Sequence, residues 1–178
     1  FVFGDAADQN KLKAFAELLE RHDIEIFELA KKKIVAGKSF EPGSAFIVPL
    51  EQDQYRLIRT IFEPTDNFRD SLFYDVSAWT IPMAYNLEFA SIERGNFSSS
   101  LLGEVLSPSS WESPSAPDFS SYAYLLEWDD YAAPNVVNRI LGEGLRAKVA
   151  LDPLKSNNQF FDRGTIMIPV VNQQLNPE

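Results

Sequence analysis

The chain contains no cysteine and a single histidine, His22, among its 178 residues. The first absence excludes disulfides, thiolate zinc sites and cysteine nucleophiles. The second excludes any centre that needs two imidazoles. Basic residues are scarce as well: 16 Lys and Arg stand against 26 Asp and Glu, for a net charge of −10. Such a balance repels nucleic-acid phosphates and anionic membranes, so neither is expected as a partner. No run approaches the ~20 apolar residues of a membrane-spanning helix, and no basic, apolar, small-residue leader opens the sequence. No internal repeat is visible. Apolar material is plentiful, at 45% of the chain, well above the level that marks disorder. At ~150 residues per domain, length and composition predict one soluble α/β domain over residues 1–178.

Phe1-Val2-Phe3-Gly4 reads as a strand, and Asp5 or Asp8 as the cap of a helix that carries Leu12, Phe15, Ala16 and Leu19 on one face and ends near His22. Ile24 to Leu29 suits a second strand and Ala45-Phe46-Ile47-Val48 a third. Tyr55, Ile58 and Phe62 place an apolar stripe on a second helix that Pro64 stops, and a third helix is expected from about Ser77 to Leu87. Pro82 is comfortable only near a first turn, so that helix can begin as late as Thr80. Residues 98–121 hold ten Ser and three Pro, the composition of a long surface connection. Beyond them come a strand at Tyr122 to Leu126, a helix opened by Pro134, and strands at Lys148 to Leu151 and Gly164 to Val170.

Alternating strands and helices predict an open, doubly wound, mainly parallel sheet with helices on both faces, whose ligands sit beyond the carboxyl ends of the strands. Asp5, Glu51, Asp129 and Asp130 lie at those ends, where converging carboxylates could hold a hard cation or raise one another's pKa. A charged loop surface is the alternative. His22 is expected to cap the first helix. There is no Gly-x-Ser-x-Gly elbow, no dinucleotide fingerprint and no phosphate-binding loop. Asp75, Ser77, Trp79, Glu127 and Asp129 form a candidate pocket: aromatic faces beside carboxylates suit a sugar or other polyhydroxylated small molecule. The competing expectation is that Asp75 and Ser77 cap the third helix and that Trp79 packs in the core.

Three stretches carry a resemblance: Arg21 to Leu29, Phe40-Glu41-Pro42-Gly43-Ser44-Ala45-Phe46-Ile47-Val48-Pro49, and Asp70 to Pro82, with a fourth at Phe161-Asp162-Arg163-Gly164-Thr165-Ile166-Met167-Ile168-Pro169. They resemble the region that follows the catalytic domain in large bacterial zinc carboxypeptidases of the carboxypeptidase A-like metallopeptidase family. The resemblance implies a class I glutamine amidotransferase-like, flavodoxin-like fold, and a fragment of a secreted or periplasmic peptidase. It places zinc in the parent's catalytic domain, and the partner it implies is that same domain, with peptide or sugar as further possibilities. Neither the family's zinc ligands and catalytic Glu nor the amidotransferase Cys-His-Glu triad maps onto this sequence. The expectation is therefore a non-catalytic accessory module with no cofactor of its own.

Overall fold

The computed structural model describes residues 1–64, 80–107, 111 and 116–173, which divide into two compact units, 1–112 and 113–178. The boundary falls inside the Ser/Pro-rich stretch.

In the first unit β1 (Val2–Gly4) leads into α1 (Gln9–Glu20). Asp8 caps this helix by accepting from the Lys11 amide at 2.9 Å, and the apolar stripe Leu12, Phe15, Ala16 and Leu19 is fully buried. β2 (Phe27–Leu29) follows, then a hairpin of β3 (Lys33–Val35) and β4 (Lys38–Phe40), then β5 (Ala45–Ile47), α2 (Tyr55–Phe62), α3 (Ile81–Ala84), β6 (Glu88–Ala90) and β7 (Leu102–Val105). The five-stranded sheet has the order β6-β1-β5-β2-β7. Phe3 lies opposite Phe46 and Phe89, and Phe27 opposite Ile47.

The mainly parallel, doubly wound sheet is therefore corrected: every neighbouring pair in this sheet is antiparallel. β1 and β2 do run in the same direction on either side of a helix, as strand-helix-strand reading expects. β5 inserts between them, and β1 in turn inserts between β5 and β6. These are two interlocked split β-α-β units, the connectivity of ferredoxin-like domains, with the hairpin β3–β4 inserted between β2 and β5. Helices on both faces are also corrected. α1 and α2 pack on the same face, over Phe1, Phe3, Phe46 and Val48, while the other face is closed by Phe40 and Val35 of the hairpin together with Leu101 and Ile92.

Part of the expected surface connection is sheet edge: Ser98 accepts from the Ser100 amide to open a 3-10 turn, and β7 then pairs with β2. Trp111 returns to the core and tilts against Phe46 at 5.2 Å. The third helix is the single turn α3, with Pro82 in its first turn and Thr80 before it at φ 59°. The Thr80 hydroxyl donates to the Glu63 carbonyl at 3.0 Å.

The second unit has β8 (Ala123–Leu126), α4 (Ala133–Gly142), β9 (Lys148–Val149), the hairpin β10 (Leu154–Ser156) and β11 (Gln159–Phe161), and β12 (Ile166–Pro169). Its sheet has the order β8-β12-β9, again antiparallel throughout. This is the first unit's β1-α1-β2-hairpin-β5 module a second time, with the same strand order and the same directions. The match is closest at the hairpins. Lys33 to Ser44 maps onto Leu154 to Thr165 without a gap, and both two-residue turns, Ala36-Gly37 and Asn157-Asn158, hold two positive φ angles. Gly43 and Gly164, also at positive φ, follow at the same spacing. The next residues, Ser44 and Thr165, donate from their hydroxyls to the carbonyls of Glu41 and Asp162 at 3.4 and 2.7 Å. The sequence alone shows no repeat because the helices and outer strands of the two modules share few residue identities, and only Phe-acid-x-Gly-hydroxyl survives in both.

Candidate functional site

Antiparallel pairing separates Asp5 from Glu51. Since β1 and β5 run in opposite directions, Asp5 and Glu51 follow them at opposite ends of the strands, and Asp129 and Asp130 belong to the other unit. Among the described residues no three His, Cys, Asp or Glu side chains group as a metal site. Asp5 instead pairs with Lys11 at 2.5 Å and accepts from the amides of Ala7 and Asp8 at 2.8 and 2.9 Å. Lys11 also donates to the Asn86 carbonyl at 3.3 Å, which ties the start of α1 to the turn before β6. Burial pushes the Asp5 carboxyl up, but the Lys11 ammonium and the two amides outweigh it and hold the group below its ordinary value. His22 is exposed just past α1, where its amide bonds to the Leu19 carbonyl.

Of the candidate pocket, Asp75, Ser77 and Trp79 lie outside the described residues, as does the expected capping role of the first two. Glu127 and Asp129 are exposed in the turn directly after β8. Their neighbour Asp130 accepts from the Ala132 amide at 2.7 Å and so shapes the entry to α4.

A concavity with an apolar lining lies elsewhere in the second unit. A groove of about 490 Å³ is walled by Tyr124 and Leu126 of β8, Ile168 of β12, and Val136 and Ile140 of α4. α4 begins where Pro134, in the first turn, presets the backbone without sacrificing a needed amide. Its i, i+4 pair Val136 and Ile140 then points along one face. The Tyr124 hydroxyl accepts from the Ser120 amide at 3.1 Å. At one end Gln173 accepts from the Arg146 amide at 2.7 Å and donates to the Arg146 and Pro169 carbonyls. These bonds engage both ends of the Gln173 amide, so the remaining walls of the groove are almost entirely hydrocarbon. Tyr124, Leu126, Val136 and Ile140 were legible as strand and helix residues of apolar period. Their shared cavity was not, because apolar periodicity is identical for a covered and an uncovered face.

A second hollow of about 430 Å³ lies against the cross-strand neighbours Met167 and Lys148 and includes Arg146 and Asn172. Arg146 donates to the Asn172 carbonyl there at 3.2 Å. Lys148 and Met167 alternate with Val149, Ile166 and Ile168, so this hollow opens on the sheet face opposite Ile168.

No family model, curated protein or solved structure matches the chain.

Proposed function

We propose that the chain is a non-catalytic interaction module of a secreted or periplasmic zinc carboxypeptidase, packing on the catalytic domain of the same parent protein. The resemblance of Phe40 to Pro49 and Phe161 to Pro169 supports the family context. That both stretches occupy the same place in a repeated module, the hairpin end and the following strand, adds weight to treating them as one structural signature.

The observation that carries an interaction role is the apolar surface of the second unit. Phe119, Tyr122, Leu151 and Phe160 are 69–88% exposed, and Trp128, Tyr131, Leu141, Val149 and Val171 are more than half exposed. Isolated exposed apolar side chains are ordinary, but this many on so small a unit mark an interaction surface. Zinc belongs, in this reading, to the catalytic domain, and no residue of the chain is assigned to it. The net charge of −10 disfavours an anionic membrane, and the partner surface is taken to be protein.

Isothermal titration of the chain into the parent's zinc carboxypeptidase domain tests the reading. Saturable one-to-one binding supports it. Absence of binding at about 100 μM, a concentration that reveals even weak complexes, overturns it, as does hydrolysis of a C-terminal peptide substrate by the chain alone.

A further inference from the structure

The repeated module offers a comparison for the groove of the second unit. In the first unit α2 lies on β1, β5 and α1. Phe62 stacks on Phe1 with ring centres 4.9 Å apart, and it meets Phe3 at 5.9 Å and Phe15 at 5.7 Å. Ile58 and Ile61 join the same cluster. Under that helix Phe3, Phe15 and Val48 are 0% exposed.

The counterparts in the second unit, β8, β12 and α4, carry apolar side chains on the corresponding face. Phe1 and Val48 exchange backbone hydrogen bonds in the first sheet, and Val170 bonds to the Tyr122 carbonyl in the second. Stepping by two along each strand, Phe3 and Phe46 therefore share their side with α1, and Tyr124, Leu126 and Ile168 share theirs with α4. Nothing equivalent to α2 lies on them among the described residues, whose sole helix in this unit is α4. Val136 is left 38% exposed, and Tyr124, Leu126, Ile140 and Ile168 are only partly buried.

We infer that this groove is the seat of a partner's amphipathic helix, docked as α2 docks in the first unit, with apolar side chains at i, i+3 and i+4 entering between β8, β12 and α4. Ile58, Ile61 and Phe62 have that spacing on α2, and a helix laid in an apolar groove is read by such anchors. The inference rests on the interaction reading above and specifies its contact.

The probe is a lactam-stapled, fluorescently labelled peptide of residues 53–64, titrated with the full chain and followed by anisotropy. Saturable binding is expected, weakened about tenfold or more by Val136→Glu or Ile140→Glu. Lys148→Glu, on the opposite face of the sheet, should leave it unchanged. Val136 is already partly exposed, so its variant keeps the fold even where Ile140→Glu does not, and circular dichroism of each variant checks this.

No saturation up to about 1 mM, or binding indifferent to Val136→Glu, overturns the inference. So does a dimer in sedimentation that Val136→Glu dissolves, since a second copy would then be the occupant. If the catalytic domain binds and the peptide does not, only this inference falls. If the peptide binds and the catalytic domain does not, the peptidase reading falls instead.

Discussion

Asp5 shows how one side chain can be mistaken for chemistry and serve architecture. Its carboxylate is 15% exposed beside a Lys11 side chain that is 10% exposed, so removing the charge leaves an ammonium without its partner in a partly dry site. Asp5→Asn is expected to cost about 1.5–3 kcal/mol at neutral pH, the range for hydrogen bonds to charged groups. Because folding lowers the Asp5 pKa, the native state holds fewer protons, and the stabilisation is complete above the unfolded value of ~4. It fades as pH falls through the lower folded value. Urea unfolding at a series of pH values should therefore show the variant's deficit at pH 7 and its disappearance in acid. Phe62 is the apolar counterpart. It is fully buried among three other rings, and Phe62→Ala should cost about 3–5 kcal/mol in the same assay.

At the scale of elements, the two hairpins are a natural comparison of turn chemistry. Both turns need left-handed backbone at both positions, and the second supplies Asn157-Asn158 while the first supplies Ala36-Gly37. Alanine in that region pays a steric cost of about 1–2 kcal/mol that asparagine partly relieves through its local hydrogen bonds. Ala36→Asn should accordingly stabilise the protein by about 0.5–1 kcal/mol, read from the midpoint of denaturant unfolding. Gly4 is demanded by a close approach of β1 to β5. A β-carbon there would sit 2.6 Å from the Ser44 carbonyl oxygen and 2.9 Å from the Ala45 β-carbon, and backbone cannot rotate away as a side chain can. Gly4→Ala should cost about 1–3 kcal/mol, with faster amide exchange at Asp5, whose N–H bonds to the Ser44 carbonyl.

Across the whole molecule the burial is uneven. The first unit holds nearly all of the buried apolar side chains, whereas among the described residues of the second unit only Ala133, Thr165 and Ile166 are buried. Since local opening follows buried contacts, native-state hydrogen exchange should find the slowest amides in β1, β5 and β2. The β8-β12-β9 sheet is expected to open at lower free energy. Docking of a helix in its groove would slow exchange in β8 and β12 selectively, because ligand binding stabilises only the state that holds it.

The sequence by itself determined the local structure: the period of Leu12, Phe15, Ala16 and Leu19, the cap at Asp8, the proline start at Pro134 and the apolar runs of β1, β5, β8 and β12 are set by interactions within a few residues. It also ruled out thiolate and multi-histidine centres by composition alone. Strand order was decided only in the tertiary structure. A helix between two strands has the same periodicity whether those strands become neighbours or leave a gap, and here the gap is filled by β5, whose Phe46 meets Phe3 across the sheet. The hairpin β3–β4 was hidden because its strands are three residues each and half polar. Which apolar faces are covered was likewise a tertiary matter. Val136 and Ile140 have the same spacing as Ile58 and Phe62, and only the placement of a second helix in three dimensions buries one pair and leaves the other lining an open groove.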